Sequence, residues 1–416
     1  MTLTVLICYL LVTATEYFLR FLNLQYLKQH GSEVPPGFEG AIDADTLAKT
    51  SAYTLEQSRL GLVESLFDNA LLLLFLFGGL LVFYDRWIAF LSGSFVWNGV
   101  LFFLVLTLIQ TAIDIPFSLY GTFRIENRYG FNTMTPILWL SDLGKSLAVS
   151  SFILALMTAG AFSLVRWSPG FWWLWVWGFV ALVSIFFMYL SPYLIEPMFH
   201  KFEPVQDEEL EQCIRQLMEK AGLHVSRVMQ MDASRRSRHS NAYFTGIGRV
   251  KRIVLYDTLL AQMERQEILT ILAHEVGHWK KGHVWKRLVM AEISGFLGFY
   301  AAFRLLQWGG LPGVLGLPHA SFPAQLVIVG FIGSIFMFPF TALSSWLSRR
   351  DERQADRFAA ELSGTPVALA TALVKLNREN LGNLHPHPLY AKFYYSHPPV
   401  VERVQTLHDS ARAADA

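Results

Sequence analysis

The sequence predicts a mainly α-helical, polytopic membrane protein of seven transmembrane helices, with a small α+β portion. Three observations predict it. The chain has 416 residues, of which 53% are hydrophobic and 14% aromatic, with a mean hydropathy of +0.35; soluble domains rarely average so apolar. Seven apolar runs approach or exceed the ~20 residues that cross a bilayer. Two polar segments interrupt or follow them, and the first contains the stretch ILAHEVGHWKKGH, Ile271–His283. The net charge of +1 gives no overall pull toward nucleic acid. Cys8 and Cys213 sit in unlike contexts and suggest neither a disulfide framework nor a cysteine metal site.

The expected spans are Leu3–Leu24, Leu62–Tyr84, Val96–Tyr120, Leu147–Val165, Phe171–Ile195, Leu288–Trp308 and Ala324–Leu347. The first lacks the basic start of a cleaved signal peptide and carries Glu16 and Arg20 near its end, so it reads as a retained helix. The loop Gly309–Pro323 has no Lys or Arg, whereas Glu196–Arg287 is rich in both, and Arg349 and Arg350 follow the last span. By the positive-inside rule the polar segments face the cytoplasm and the N-terminus lies outside. In a bacterial host the expected location is the inner membrane, in a eukaryotic one the ER membrane. The chain divides into residues 1–195 (spans one to five), 196–287 (cytoplasmic), 288–347 (spans six and seven) and 348–416 (cytoplasmic).

Within 196–287, Glu208–Ala221 has the pattern of an amphipathic helix. Val225–Met231 and Arg252–Tyr256 read as strands, with Asn241–Thr245 a third, and Gly246 and Gly248 mark the turn between the last two. Arg265–Lys281 reads as a helix. The small polar tail 409–416 is expected to fray.

Helix geometry sorts the histidines. At about 100° per residue, His274 and His278 lie within about 40° of one face and can share one ion. His283, nine residues from His274, falls on the opposite side of a continuous helix. In H-E-x-x-H the glutamate, here Glu275, serves as base to a metal-activated water rather than as a ligand. Gly277 leaves room for a substrate or a neighbouring backbone. Three of five positions are fixed, so the pentapeptide alone also fits solvated histidines near a membrane surface.

A catalytic zinc site commonly takes three protein ligands, His₂Glu among them. SRRDERQADRFAAEL, Ser348–Leu362, continues the last span and offers Glu352 and Asp356, four apart on one face. Glu352 is assigned to Zn²⁺, and Asp356 to an N–H of a ligand histidine. The competing reading is a charged helix face, with Asp351 paired to Arg349 or Arg350.

These residues resemble the type I CaaX prenyl endopeptidases, membrane-integral zinc proteases of the gluzincin type with bacterial relatives. The resemblance covers most of the chain: Thr15–Leu27, Leu119–Pro136, Tyr193–Val205, Ser234–Leu260, the metal signature, and Glu379–Val404. Asn127 departs from it, standing where an acidic residue is usual.

The resemblance implies a barrel of seven helices around a water-filled chamber, with one zinc ion facing inward. It also implies that Asn241 holds the bound peptide, that His397 in SHPP donates to the oxyanion, and a peptide or protein substrate, prenylated near its C-terminus, met in membrane lipid. Arg403 is expected on a carboxylate, either Glu352 or the substrate's. Unaided, Asn241 reads as a turn residue and His397 as structural. His283, His385 and His387 are left as supporting or structural histidines, and Arg235, Arg236 and Arg238 as a solvated basic run. Three rivals stand: an intramembrane-cleaving zinc protease, disfavoured by Lys280, Lys281 and Lys286 beside the motif; a scaffold with a structural metal; and a quality-control protease of the same fold.

Overall fold

The computed structural model describes residues 1–245 and 250–415. Seven helices in it are long and apolar enough to span a membrane: Thr2–His30, Ala44–Phe77, Phe95–Tyr129, Pro136–Trp167, Trp172–Phe199, His283–Gln307 and Phe322–Ser363. Local chemistry sets their ends. Asp43 caps the second by accepting from Thr46 N at 2.7 Å. Thr135 caps the fourth, with Pro136 in its first turn, where proline's missing N–H costs nothing. The expected second span, Leu62–Tyr84, is corrected: it runs across Gly78 and Gly79, where the helix stops, and Gly79 takes a φ of 85°. Tyr84 belongs to a separate helix, Leu80–Leu91.

Each span packs on the next, the second reaching the third through Leu80–Leu91 and Gly121–Glu126, and the seventh returns to the first. No apolar window of a span is more than 17% buried. A solid bundle buries the inner face of its helices; this ring leaves them open and encloses a chamber. Glu64, Asp68 and Asp114 sit in the spans, and such charges face a hydrated interior rather than lipid. At the N-terminal end the ring is plugged. Tyr9, Leu76, Leu81, Ile88, Phe102 and Phe331 form one buried cluster, and Asp85 accepts from Ser321 N at 2.9 Å.

The other end carries a four-stranded sheet in the order β1-β2-β4-β3, with β1 Phe202–Pro204, β2 His224–Met231, β3 Ala242–Thr245 and β4 Val250–Tyr256. β2 and β4 run parallel, and β3 pairs antiparallel with β4, Ala242 opposite Leu255. β3 is an edge. The turn expected at Gly246 and Gly248 lies outside the described residues. The helix Glu208–Lys220 is capped by Asp207, which accepts from Leu210 N at 2.9 Å, and buries Leu210, Ile214 and Met218 at four-residue steps. These join Val228, Ile253, Leu272 and Val404 in one core. Phe38 and Ile42, from between the first two spans, and Leu47, near the start of the second, complete that core. The tail expected to fray is helical to Asp415.

Candidate metal centre

The helix Arg265–Lys280 begins with a capping box between Glu264 and Glu267 and seats Ile268, Leu272 and Val276 in the core. That burial fixes which face is left for His274 and His278. Gly277 lies against the seventh span's helix, where an added Cβ would stand 2.9 Å from Ala355 Cα. The room kept by Gly277 is thus taken by a neighbouring backbone. The close crossing brings both histidines onto Glu352 and Asp356, which lie one turn apart on Phe322–Ser363.

His274 Nε2 and His278 Nε2 are 3.3 Å apart, and each is 3.2 Å from one oxygen of Glu352. Four-coordinate zinc, with bonds of about 2.0–2.1 Å, needs ligand atoms about 3.3–3.4 Å apart. Glu352 Oε2 is buried and, among the described residues, has no hydrogen-bond partner; its contact with His274 lacks hydrogen-bond geometry. Three converging lone-pair atoms, one of them orphaned, fit a divalent ion. His274, His278 and Glu352 are therefore brought together as the sequence predicts.

Asp356 Oδ1 lies 2.8 Å from His274 Nδ1, so that nitrogen carries the proton and Nε2 keeps its lone pair. Arg403 grips Asp356 with Nε at 2.8 Å and Nη2 at 2.7 Å. The carboxylate that Arg403 meets is thus Asp356, where Glu352 was expected. Burial disfavours a charge on His274, yet its contacts with Asp356 and Glu352 prevail and push it up to about 9. Charging adds a second proton at Nε2, which an incoming ion must displace, so binding weakens in acid.

Glu275 shares a cavity of about 470 Å³ with His274, His278, Glu352 and His397. Burial pushes its carboxyl above the ordinary range. His397 reaches in from the C-terminal segment with a side chain 60% exposed and Nε2 3.4 Å from Glu352 Oε1. Its Nδ1 lies 2.9 Å from Ser396 Oγ. Tyr243, Phe244 and Thr245 of β3 line the cavity. Asn241 sits just before β3, exposed, its Oδ1 accepting from Ala242 N at 2.8 Å. The structure thus puts Asn241 at the strand edge, its backbone O accepting from Tyr256 N at 3.1 Å, and the cavity wall begins two residues later.

The sequence reading missed the apolar wall of this cavity: Met188 and Tyr189 from the fifth span, and Trp285 and Leu288 from the sixth. It also misplaced His283. The helix ends at Lys280, Gly282 takes a φ of +69°, and His283 opens a new helix. The nine-residue arc that put it on the far side does not apply, and its ring lies on His278. A glycine in WKKGH was the available signal. His385 and His387 stand elsewhere, the ring of His385 on Glu33 O and the ring of His387 edge-on to Tyr26. Arg236 ties the sheet end to Asp142 of the fourth span at 2.8 Å, so the basic run is only partly solvated. Asp351 pairs with Arg287, and Arg349 donates to Ala391 O and Tyr395 O; the charged-face pairing of Asp351 with Arg349 or Arg350 is not the arrangement found.

Comparison with known proteins identifies the family. The family described as CAAX prenyl protease N-terminal, five membrane helices, matches residues 23–201. Peptidase family M48 matches residues 204–411. The CAAX prenyl protease 1 homolog of Arabidopsis thaliana is 32% identical, over 92% of each chain. The Homo sapiens homolog is 30% identical, over 90% of this chain and 89% of its own. The crystal structure of S. mikatae Ste24p superposes with a TM-score of 0.88 at 29% identity, covering 97% of this chain and 98% of that one. The chain belongs to peptidase family M48, with the membrane helices of the CAAX prenyl proteases, and is a membrane-integral metalloendopeptidase.

Proposed function

We propose that this metalloendopeptidase is a zinc enzyme that cuts peptide bonds near the C-terminus of prenylated proteins, from the cytoplasmic face of its membrane. The observation that carries the proposal is one cavity holding the His274–His278–Glu352 cluster, Glu275 and His397 together. The catalytic unit joins residues 196–287 and 348–416, with 1–195 and 288–347 as its membrane frame.

A zinc ion held by His274, His278 and Glu352 would lower the pKa of a coordinated water to about 7 and polarise a carbonyl. Glu275 takes the attacking water's proton and passes it to the leaving amine. His397 donates to the oxyanion; loss of one such donor typically costs about 10²–10³ in rate. Asp356, held by Arg403, fixes the tautomer of His274. β3 is an open edge beside the cavity, and an extended peptide adds to such an edge through backbone hydrogen bonds. Asn241, at the start of that edge, holds the peptide backbone.

Cavity size supports an extended segment rather than a folded domain. The wall of Met188, Tyr189, Trp285 and Leu288, drawn from two spans, supports a substrate with an apolar group embedded beside the site. The Lys- and Arg-rich character of 196–287 supports the cytoplasmic side.

The test compares a prenylated CaaX peptide with its unmodified twin, with and without chelator, beside Glu275→Gln. The expected result is chelator-sensitive cleavage that prefers the prenylated peptide and falls by about 10²–10⁴ in Glu275→Gln. Equal cleavage of both peptides would remove the prenyl preference. Undiminished cleavage by Glu275→Gln would remove the base. Full zinc retention in Glu352→Ala would remove the third ligand.

A further inference from the structure

Two histidines offer Nε2 to the proposed ion, so each must carry its proton on Nδ1, and each needs an acceptor for that proton. For His274 the acceptor is Asp356. For His278 the group in reach is another imidazole: His278 Nδ1 lies 3.0 Å from His283 Nδ1.

Two ring nitrogens at that distance share one proton, which settles the rest by valence. If His278 Nδ1 holds it, His283 Nδ1 accepts, and His283 is neutral with its own proton on Nε2. That nitrogen stands 3.1 Å from Gln354 Oε1 and 3.5 Å from Asp351 Oδ1, both acceptors. The side chain of His283 is 1% exposed, so no bulk water replaces these partners. The rings meet at 70°, centroids 5.2 Å apart, an arrangement that orients His278 as well as fixing its tautomer. The backbone makes this possible at Gly282, whose left-handed φ folds the start of the sixth span back onto the motif.

We infer that His283 is a positioning residue for the metal: through His278 it holds Nε2 free and aimed, with Gln354 anchoring His283 in turn. The inference rests on His274, His278 and Glu352 being the ion site. It gives the two ligand histidines different supports, an ionic one of Asp356 and Arg403, and a neutral one of His283 and Gln354.

The test is metal affinity, by chelator competition on the purified full chain, with the visible spectrum of the Co²⁺-loaded protein as a second readout. His283→Leu keeps bulk and removes the acceptor. His283→Asn keeps an acceptor oxygen near the Nδ1 position. His283→Leu is expected to weaken zinc binding about 10–100-fold and to shift the Co²⁺ spectrum. His283→Asn is expected to restore most of that affinity. Gln354→Leu should weaken binding less, and add little on top of His283→Leu. If His283→Leu binds zinc like the wild type, or if Leu and Asn lose affinity alike while the metal-free protein unfolds earlier in both, His283 is only packing and the inference is overturned. Should His283→Leu not fold, Gln354→Leu decides: wild-type affinity and spectrum there overturn the relay. A wild-type chain that binds no ion removes the metal reading itself, an outcome distinct from these.

Discussion

The membrane ring and the metal end of this molecule use their side chains in opposite ways. In the ring, no apolar window exceeds 17% buried, and many large side chains, such as Phe83, Phe152 and Leu182, are more than two-thirds exposed. At the metal end, Leu272, Ala273 and Val276 are wholly buried, and two backbones touch at Gly277 and Ala355. The ring is a wall that needs apolar character and length; the metal end is a close-packed joint in which shape matters to within an ångström. Substitutions of equal chemistry should therefore differ in effect by region.

Paired variants sharpen that contrast. The largest difference is expected between two aspartates. Asp356→Asn strips the carboxylate from His274 and strands the buried Arg403, so zinc affinity by chelator competition should drop about 10–100-fold. Asp68→Asn, inside the ring, should leave it unchanged. Equal losses would mean that the frame tunes the metal and that the two regions are not separable in this way.

A smaller difference is expected between two glycines on helices. Gly277→Ala places a Cβ 2.9 Å from Ala355 Cα, an overpacking that typically costs about 1–3 kcal/mol. Gly333→Ala, in the seventh span, meets nothing within 4 Å and should be neutral, or stabilising by up to about 1 kcal/mol through helix propensity. Thermal unfolding in one detergent reads both. A stable Gly277→Ala protein would show that the crossing has slack.

The smallest effect concerns the seam between the regions. His239, on the sheet side, contacts Glu126 of the third span at 3.3 Å and Asn380 at 3.0 Å, with Phe131 stacked on its ring. Burial lowers its pKa, but the bonds to Glu126 and Asn380 outweigh this and leave it raised. A raised histidine adds stability that is whole below its unfolded value, near pH 6.5, and is lost as pH climbs through the folded one. The melting-temperature advantage of wild type over His239→Gln should thus shrink as pH rises above about 6.5. A constant advantage would assign His239 to packing alone.

What was legible in the sequence followed from periodicity. Two histidines four apart, and Glu352 four before Asp356, declare shared faces without any tertiary information. Length and apolarity gave the seven spans. Errors arose where a single backbone conformation broke a period. The second span was carried across Gly78–Gly79, and the wheel that exiled His283 was carried across Gly282. β1, three residues long, is too short for alternation to show. Phe38, Ile42 and Leu47 lie in a loop and at a helix start, and only long-range packing reveals them as core. Arg403 could be expected to find a carboxylate, but which of several depends on tertiary approach.

The seventh span and the carboxylate Glu352 belong to one helix of 42 residues, a rod about 63 Å long at 1.5 Å per residue. It has no loop between its lipid-embedded half and the stretch carrying Glu352 and Asp356. Trimming the chain to a water-soluble fragment would leave those two acids on an untethered stub, without the embedded half that holds it in register. Efforts to obtain a detergent-free hydrolase should instead redesign the outward face of the wall and leave the rod whole.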